Sequence, residues 1–333
     1  MTSANVGTRI INLKDAITEA MFEELERDDR VFLLGEDITD PFGGVFQVTL
    51  GASTKFGEHR VLETPISESA IIGCASGAAL AGLRPIAEIM IIDFLGVCMD
   101  QLANQAAKMH FMSGGQVSVP MVVRVTSGVG GGFGAQHSSS LEAWICHVPG
   151  LKVVFPSTPA DAKGLMLSAI RDDNPVVFIE NINLYWERGE CPTGDYIVPF
   201  GVAAVRREGS DCTIVAWGRV TLEASAAAEQ LAKEGVDVEL IDPRTLVPLD
   251  LECILNSVRK TGRLIVVHEA VERGGFGGEI AALVQSQAWE SLKGPVIRVT
   301  AANTPVPYSK PLEAAMIPRI EDIVSAVHSA MER

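Results

Sequence analysis

Apolar residues recur three or four positions apart at Leu13, Ala16, Ile17, Ala20, Met21 and Leu25, which predicts a helix over 13–27 with Asn12 as its N-cap. The run Val31–Leu34 then reads as a short strand that ends in the acidic pair Glu36–Asp37. Val61–Leu62 leads into Thr64-Pro65-Ile66-Ser67-Glu68, and Ser69–Ala81 reads as a helix of small residues. Arg84–Ile92 reads as a strand, Phe94–His110 as one helix, and Pro120–Val125 as a strand rich in β-branched residues. Beyond a glycine-rich loop come a short helix at Leu141–Cys146, a strand at Leu151–Phe155, a helix opening at Pro159 behind Thr158, and a strand at Val176–Ile179. The second half predicts strands at Thr213–Ala216, Val238–Ile241, Leu264–Val267 and Val296–Val299. It predicts helices near Thr221–Lys233, Asp250–Arg259, Gly277–Trp289 and Ile320–Met331.

Strands alternate with helices throughout, so the expected class is α/β, with parallel sheets covered on both faces. Residues 181–200, with their Asn, Gly, Pro and mixed charges, interrupt the alternation. The expected division is a first domain at 1–190, a linker at 191–205 and a second domain at 206–333, in keeping with a length of 333 residues.

Charge narrows the partners. Lys plus Arg total 27 against 42 for Asp plus Glu, a net charge of −15, which argues against nucleic acid or an anionic membrane as the main partner. No stretch is long and apolar enough to span a bilayer, and the start MTSANVGTRIINLKDA lacks a secretory apolar core. The six cysteines are scattered without a CxxC pair, so they read as reduced thiols in a cytoplasmic protein.

Three constellations could carry chemistry. Gly128-Val129-Gly130-Gly131-Gly132-Phe133-Gly134 has five glycines in seven positions and no P-loop Lys-Ser/Thr, so by itself it reads as a flexible loop; His137, close behind it, is placed for acid/base work or is an ordinary surface residue. Glu68 opens a helix, where a carboxylate is commonly a partner of the helix dipole. His268-Glu269 precedes Arg273-Gly274-Gly275-Phe276-Gly277-Gly278; HExxH is absent, and a tight connection at the carboxyl edge of the second sheet is the simplest reading.

Taken together, GED (35–37), TPISE (64–68), AGLRPIAE (81–88), DQLANQAAK (100–108), QHSSS (136–140), PGLKVV (149–154), AIRDDNPVVF (169–178), TGRLIVVHEA (261–270) and GGFGGEI (274–280) run in order along nearly the whole chain. They resemble the β subunit of the thiamin-diphosphate-dependent 2-oxo acid dehydrogenases, a family that includes the pyruvate, branched-chain 2-oxo acid and acetoin enzymes. The resemblance implies a pyrimidine-binding parallel-sheet domain followed by a transketolase C-terminal-like α/β domain. It implies that Glu68 hydrogen-bonds N1′ of the cofactor's aminopyrimidine, that Phe94 stacks on that ring with Ile66 beside it, and that Glu36 is an acid leading toward the second active site. It also implies that His137 faces the substrate and the incoming lipoyl group. A carboxyl shielded from water is the right proton donor at N1′. Met121, Ala169, Ile170, Asp172 and Asn174 match a structural potassium site of relatives, and carbonyls with a single carboxylate suit such a weakly charged cation; alternatively, 172–175 only ends a helix.

The family's GDG…Asn-Asn pattern for the diphosphate and its Mg2+ is missing. The resemblance assigns it to an α subunit, with two α and two β chains per assembly, and adds a lipoyl-bearing acyltransferase as partner. An isolated β chain is then expected to be inactive. Asp40–Phe46 is closer to the branched-chain group, whereas Pro307-Tyr308 and Leu312-Glu313 are closer to the pyruvate and acetoin group, so the acyl donor stays open. Two rival readings stand beside the dehydrogenase: a transketolase-like carboligase subunit without a lipoyl partner, and a non-catalytic assembly scaffold.

Overall fold

A computed structural model describes residues 7–332. The N-terminal stretch read above for targeting begins in residues 1–6, which lie outside the described residues. The chain forms two compact units, one running through Ser127 and including Trp144–Phe200, the other made of Gly128–Ala143 and the residues from Gly201 onward.

The first unit begins with β1 (Thr8–Asn12), α1 (Leu13–Arg27), β2 (Val31–Glu36), α2 (Ala52–Phe56), β3 (Val61–Thr64), α3 (Glu68–Leu80) and β4 (Arg84–Ile91). It continues with α4 (Ala107–Met112), β5 (Val122–Ser127), the last residues of α5 (Glu142–Cys146, whose Glu142 and Ala143 belong to the second unit), β6 (Lys152–Val154), α6 (Pro159–Arg171), β7 (Val176–Asn181) and β8 (Arg188–Pro192). Its main sheet has the order β6-β7-β5-β4-β2-β3, and these pairings are all parallel. Nearly every residue of β2, β5 and β7 is buried, as expected of parallel strands covered on both faces.

The predicted α1 is observed with its cap: the Asn12 side chain accepts from the Asp15 N–H, and Leu13, Ala16, Ile17, Ala20, Met21 and Leu25 form the buried stripe. Each large side chain of that stripe contributes about 1.5–3 kcal/mol. Helix α6 packs against α1, and its Thr158 cap and first-turn Pro159 are as predicted. At their contact Glu24 is fully buried; burial pushes its carboxyl up, but hydrogen bonds from Arg27 and Arg171 outweigh this and hold it below the usual range.

Two expectations need correction. The single helix over 94–110 is broken into a 3-10 turn at Ile92–Gly96, a π-helical stretch at Asp100–Ala106 and α4. The wide π turn keeps Leu102 and Ala106 buried and sets Gln101 against Gly73 of α3, its Cγ at an ordinary contact distance of 3.6 Å from where a Cβ would stand. The second concerns residues 181–200, read as interrupting the regular elements: they hold a 3-10 turn at Ile182–Leu184 and β8, which pairs antiparallel with β1 from Thr8↔Pro192 to Asn12↔Arg188. Leu184, Tyr185 and Cys191 bury fully there, anchors that the surrounding polar residues conceal in the sequence.

The second unit contains β9 (Ala204–Arg207), β10 (Cys212–Ala216), α7 (Val220–Lys233), β11 (Val238–Asp242), β12 (Thr245–Val247) and α8 (Leu251–Thr261). It ends with β13 (Leu264–Val271), α9 (Gly277–Ala288), β14 (Ile297–Ala301), α10 (Lys310–Met316) and α11 (Ile320–Met331). The sheet order is β14-β13-β10-β11-β9, parallel except for the edge pair β11–β9. Helices α7 and α11 bury Ala224, Ala228, Leu231, Ile323 and Val327 in the core that β10, β11 and β13 share. Strand β9 and helix α10 lie outside the predicted alternation.

Candidate active site

Strand β2 ends at Glu36, directly opposite Thr64 at the end of β3, so the two parallel strands deliver their residues to one carboxyl edge of the first sheet. Open α/β sheets bind ligands at that edge. Glu68 follows as the first residue of α3 and is half-buried, and Ile66 just before it is 74% exposed. Phe94 lies half-buried in the 3-10 turn that leaves β4 at the same edge. An exposed aliphatic, a half-buried aromatic and a carboxylate are therefore delivered to one edge, a set suited to a flat, partly polar heterocycle. Burial, and then the charges of Asp37, Glu68 and Glu88, push the Glu36 carboxyl up from its ordinary value.

Beside this edge runs the loop 37–51. Asp40 pins it by accepting from the Gly51 N–H (2.6 Å), the Thr54 N–H (2.8 Å) and the Ser53 hydroxyl (2.9 Å). These contacts, the Thr54 hydroxyl first, hold the Asp40 carboxyl down to about 2. Gly43 is obligatory here: its φ is +68°, and a Cβ would stand 2.4 Å from Leu50 Cα. The loop leaves Phe42 and Val45 exposed.

Sequence reasoning missed the charged core beneath. Arg124 of β5 donates to Glu88 of β4 (2.5 Å) and forks onto Glu180 of β7 (2.7 and 2.8 Å), and the Tyr185 hydroxyl donates to Glu180 (2.6 Å). Arg124 and Glu180 are fully buried. Burial pushes Glu88 up despite the guanidinium beside it. The available signal was a charged residue, Glu88, Arg124 or Glu180, beside apolar residues inside each of the three strands.

The glycine-rich segment is a shaped turn rather than a loose one. Gly128, Gly130, Gly132 and Gly134 all have positive φ, and Val129 is buried against Ala301, Val306, Met316 and Ile317. His137 is exposed just beyond it, and the segment belongs to the second unit.

His268 is fully buried at the carboxyl end of β13, where the Ala270 carbonyl faces its Nδ1 at 3.1 Å. That places the proton on Nδ1, and burial pulls the ring down from 6.5 to about 4. The folded state thus binds fewer protons than the unfolded one as pH falls from about 6.5 to 4, and stability drains away over that window. Titrations of urea stability are expected to show His268→Phe losing about 3 kcal/mol less than the native chain across it. Equal slopes would show that the buried ring does not contribute.

The residues matched to a potassium site do converge on one turn. The Met121 carbonyl accepts from the Val176 N–H (2.9 Å), the Ala169 carbonyl from the Asp172 N–H (3.3 Å) and the Ile170 carbonyl from Arg84 Nε (2.9 Å). The Asp172 carboxylate takes Asn174 N–H (2.8 Å) and Nδ2 (3.0 Å), and it pairs with Lys152. Each oxygen thus has a resident donor, and an added cation is left only second lone pairs. Among the described residues no group of three or more His, Cys, Asp or Glu side chains is placed to hold a metal. The cysteines are free thiols, and burial pushes Cys98 and Cys212 up to about 12. No helix of the described residues is long and apolar enough to cross a membrane.

Comparison with known proteins agrees with this architecture. Residues 10–186 match the transketolase pyrimidine binding domain, and residues 201–323 match the transketolase C-terminal domain. The chain is 48% identical to the acetoin:2,6-dichlorophenolindophenol oxidoreductase subunit beta of Cupriavidus necator, over 97% of this chain and 98% of that one. It is 44% identical to the mitochondrial pyruvate dehydrogenase E1 component subunit beta of Bos taurus, over 96% of this chain and 90% of that one. A solved split-gene transketolase, described as an inactive beta4 tetramer, shares the fold at a TM-score of 0.78 and 22% identity, covering 97% of this chain and 98% of its own. With both domain matches and full-length identity to such subunits, the chain belongs to the β-subunit family of the thiamin-diphosphate-dependent 2-oxo acid and acetoin dehydrogenases.

Proposed function

We propose that this chain supplies the aminopyrimidine half of a thiamin-diphosphate site that cleaves a 2-oxo acid or acetoin and passes the acyl group to a lipoyl-bearing acyltransferase. The observation that carries the reading is Glu68, the first residue of α3, delivered with exposed Ile66 and half-buried Phe94 to the carboxyl edge of the first sheet. Bound there, thiamin diphosphate supplies a nucleophilic carbon and a sink for the electrons of the breaking bond. Glu68 holds a proton at N1′, Phe94 and Ile66 give the ring an apolar bed, and Glu36 is an acid leading toward the second active site. The diphosphate and its Mg2+ fall to an α subunit with the GDG motif. A reducing cytoplasmic setting suits the free thiols.

The reading is tested by reconstitution. This chain alone is expected to show no dye-linked turnover, and addition of the α subunit to restore it with acetoin, pyruvate or a branched-chain 2-oxo acid; the preferred donor settles the substrate. Turnover of sugar phosphates in place of these would favour the carboligase, and none with any donor the scaffold.

For assembly, α3 leaves Ala70, Cys74 and Gly77 on an exposed face of small side chains, to which a second subunit can come close. Nothing lies within 4 Å of a Cβ at Gly77, which is exposed in the isolated chain, so Gly77→Leu is the variant that tests assembly. Light scattering is expected to show the variant dissociating at concentrations where the native complex stays intact; equal assembly would remove α3 from the interface. For the potassium turn, the reading implies a higher melting temperature in K+ than in Na+ at equal ionic strength. Identical melts would leave Arg84 and Lys152 as its sufficient cations.

His137→Ala is expected to impair acyl transfer to lipoamide more than dye-linked decarboxylation, because the imidazole acts where the acyl group meets the incoming thiol. Equal losses would point to a general defect.

A further inference from the structure

We propose that Glu313 and Trp217 are positioning residues that fix the segment carrying His137 from its two ends; the proposal rests on the reading of His137 given above. At the leading end, Glu313 Oε1 accepts from the Gly132 N–H at 3.1 Å and the Gly130 N–H at 3.4 Å. Positive φ at Gly130 and Gly132 shapes the turn that presents these amides, and Val129 pegs it into the apolar cluster with Met316 and Ile317, just beyond Glu313 on α10. At the trailing end, five residues past His137, Glu142 Oε1 accepts the Trp217 indole N–H at 3.2 Å. Trp217 is held in turn by stacking on His268 (5.1 Å, 23°) and by an edge contact with Phe276 (6.2 Å, 80°). Gly275 and Gly277 let the chain close against that imidazole: a Cβ on either would stand 2.6 Å from a ring atom. The His268-Glu269…Gly-Gly-Phe-Gly-Gly motif thereby acquires a role as the shelf under Trp217.

Stability alone does not call for this arrangement. Glu142 and Glu313 are both buried, and each has an Oε2 with no hydrogen-bond partner. Burying a carboxylate without full compensation costs stability, and an apolar side chain of similar volume would pack at lower cost. What the carboxylates add is direction: Glu313 fixes two loop amides, and Glu142 fixes the indole.

The test uses the assembled complex. Amide hydrogen exchange over residues 128–141 is expected to accelerate in Glu313→Ala, with transfer to lipoamide falling about tenfold while dye-linked turnover is largely kept. Glu313→Gln, whose amide oxygen still accepts both N–H groups, is expected to restore both readouts. Trp217→Phe, which keeps the ring stack but loses the indole N–H, carries the same test from the other end and serves if Glu313→Ala does not assemble. Unchanged exchange in these variants would overturn the anchoring. Faster exchange with normal transfer, in a protein where His137→Ala does impair transfer, would overturn the positioning role. If His137→Ala changes neither assay, the reading of His137 fails, and exchange still decides the anchoring on its own.

Discussion

Glu68→Gln is expected to fold, to assemble, and to lose about 10²–10⁴ of its turnover, the range that a positioned proton donor or acceptor contributes. An amide at this position can still occupy the first turn of α3 and still hydrogen-bond, but it cannot exchange a proton with N1′. The structural cost is small, because the side chain is half-buried and gives up only a favourable interaction with the helix dipole, worth about 0.3–1 kcal/mol. Hydrogen–deuterium exchange at the thiazolium C2 in the reconstituted complex separates this effect from any effect on substrate binding. Exchange at the native rate in the variant would remove Glu68 from its assigned role, whatever happens to turnover.

The second large effect is on folding. Arg124→Met is expected to cost about 3–5 kcal/mol, because it leaves Glu88 and Glu180 facing each other in the core without the guanidinium that both hold. The loss should depend on pH in a defined sense. Burial already pushes Glu88 upward, and without Arg124 its folded value rises further above its unfolded one. The protonated form is then favoured in the fold, so the deficit shrinks as pH falls toward 5 and grows as pH rises. Urea midpoints at several pH values read this directly. Combining Arg124→Met with Glu88→Gln and Glu180→Gln should recover most of the stability, since the uncompensated charges go with the arginine. A single variant within about 1 kcal/mol of native stability would show the triad to be dispensable.

The first link, from sequence to local structure, was legible wherever one segment contained its own explanation. Helix α1 announces itself by its stripe and by Asn12, and α6 by Thr158-Pro159, because caps and periodicity act within a few residues. The same locality explains what was hidden. The π turn at 100–106 packs Gln101 against Gly73, on another element, a contact that no local pattern announces. Strand β8 exists because β1, nearly the whole first unit away in sequence, offers it an edge. At the proposed site, Glu36, Ile66, Glu68 and Phe94 could be named because the motifs around them resemble those of a known family; the fold adds that they lie at or near strand ends, which parallel strands deliver to one edge. Glu313 could not be found in this way. Its partner Gly130 is 183 residues away, and a glutamate in a short helix near the chain's end resembles any solvated one.

The peg at Val129 bears on how such chains can be rearranged. A cut at Phe200–Gly201 falls where the two family domains meet in sequence, yet a fragment ending there would carry Gly128–Ala143 away from the Ala301, Val306, Met316 and Ile317 side chains that bury its valine. The C-terminal piece would keep an open apolar socket, and the N-terminal piece an unsupported loop. Swapping C-terminal domains between relatives should therefore succeed only when the inserted domain brings a matching socket, or when residues 128–143 travel with it. This makes the loop and the socket at 301–317 a single heritable module, although more than a hundred and fifty residues separate them along the polypeptide.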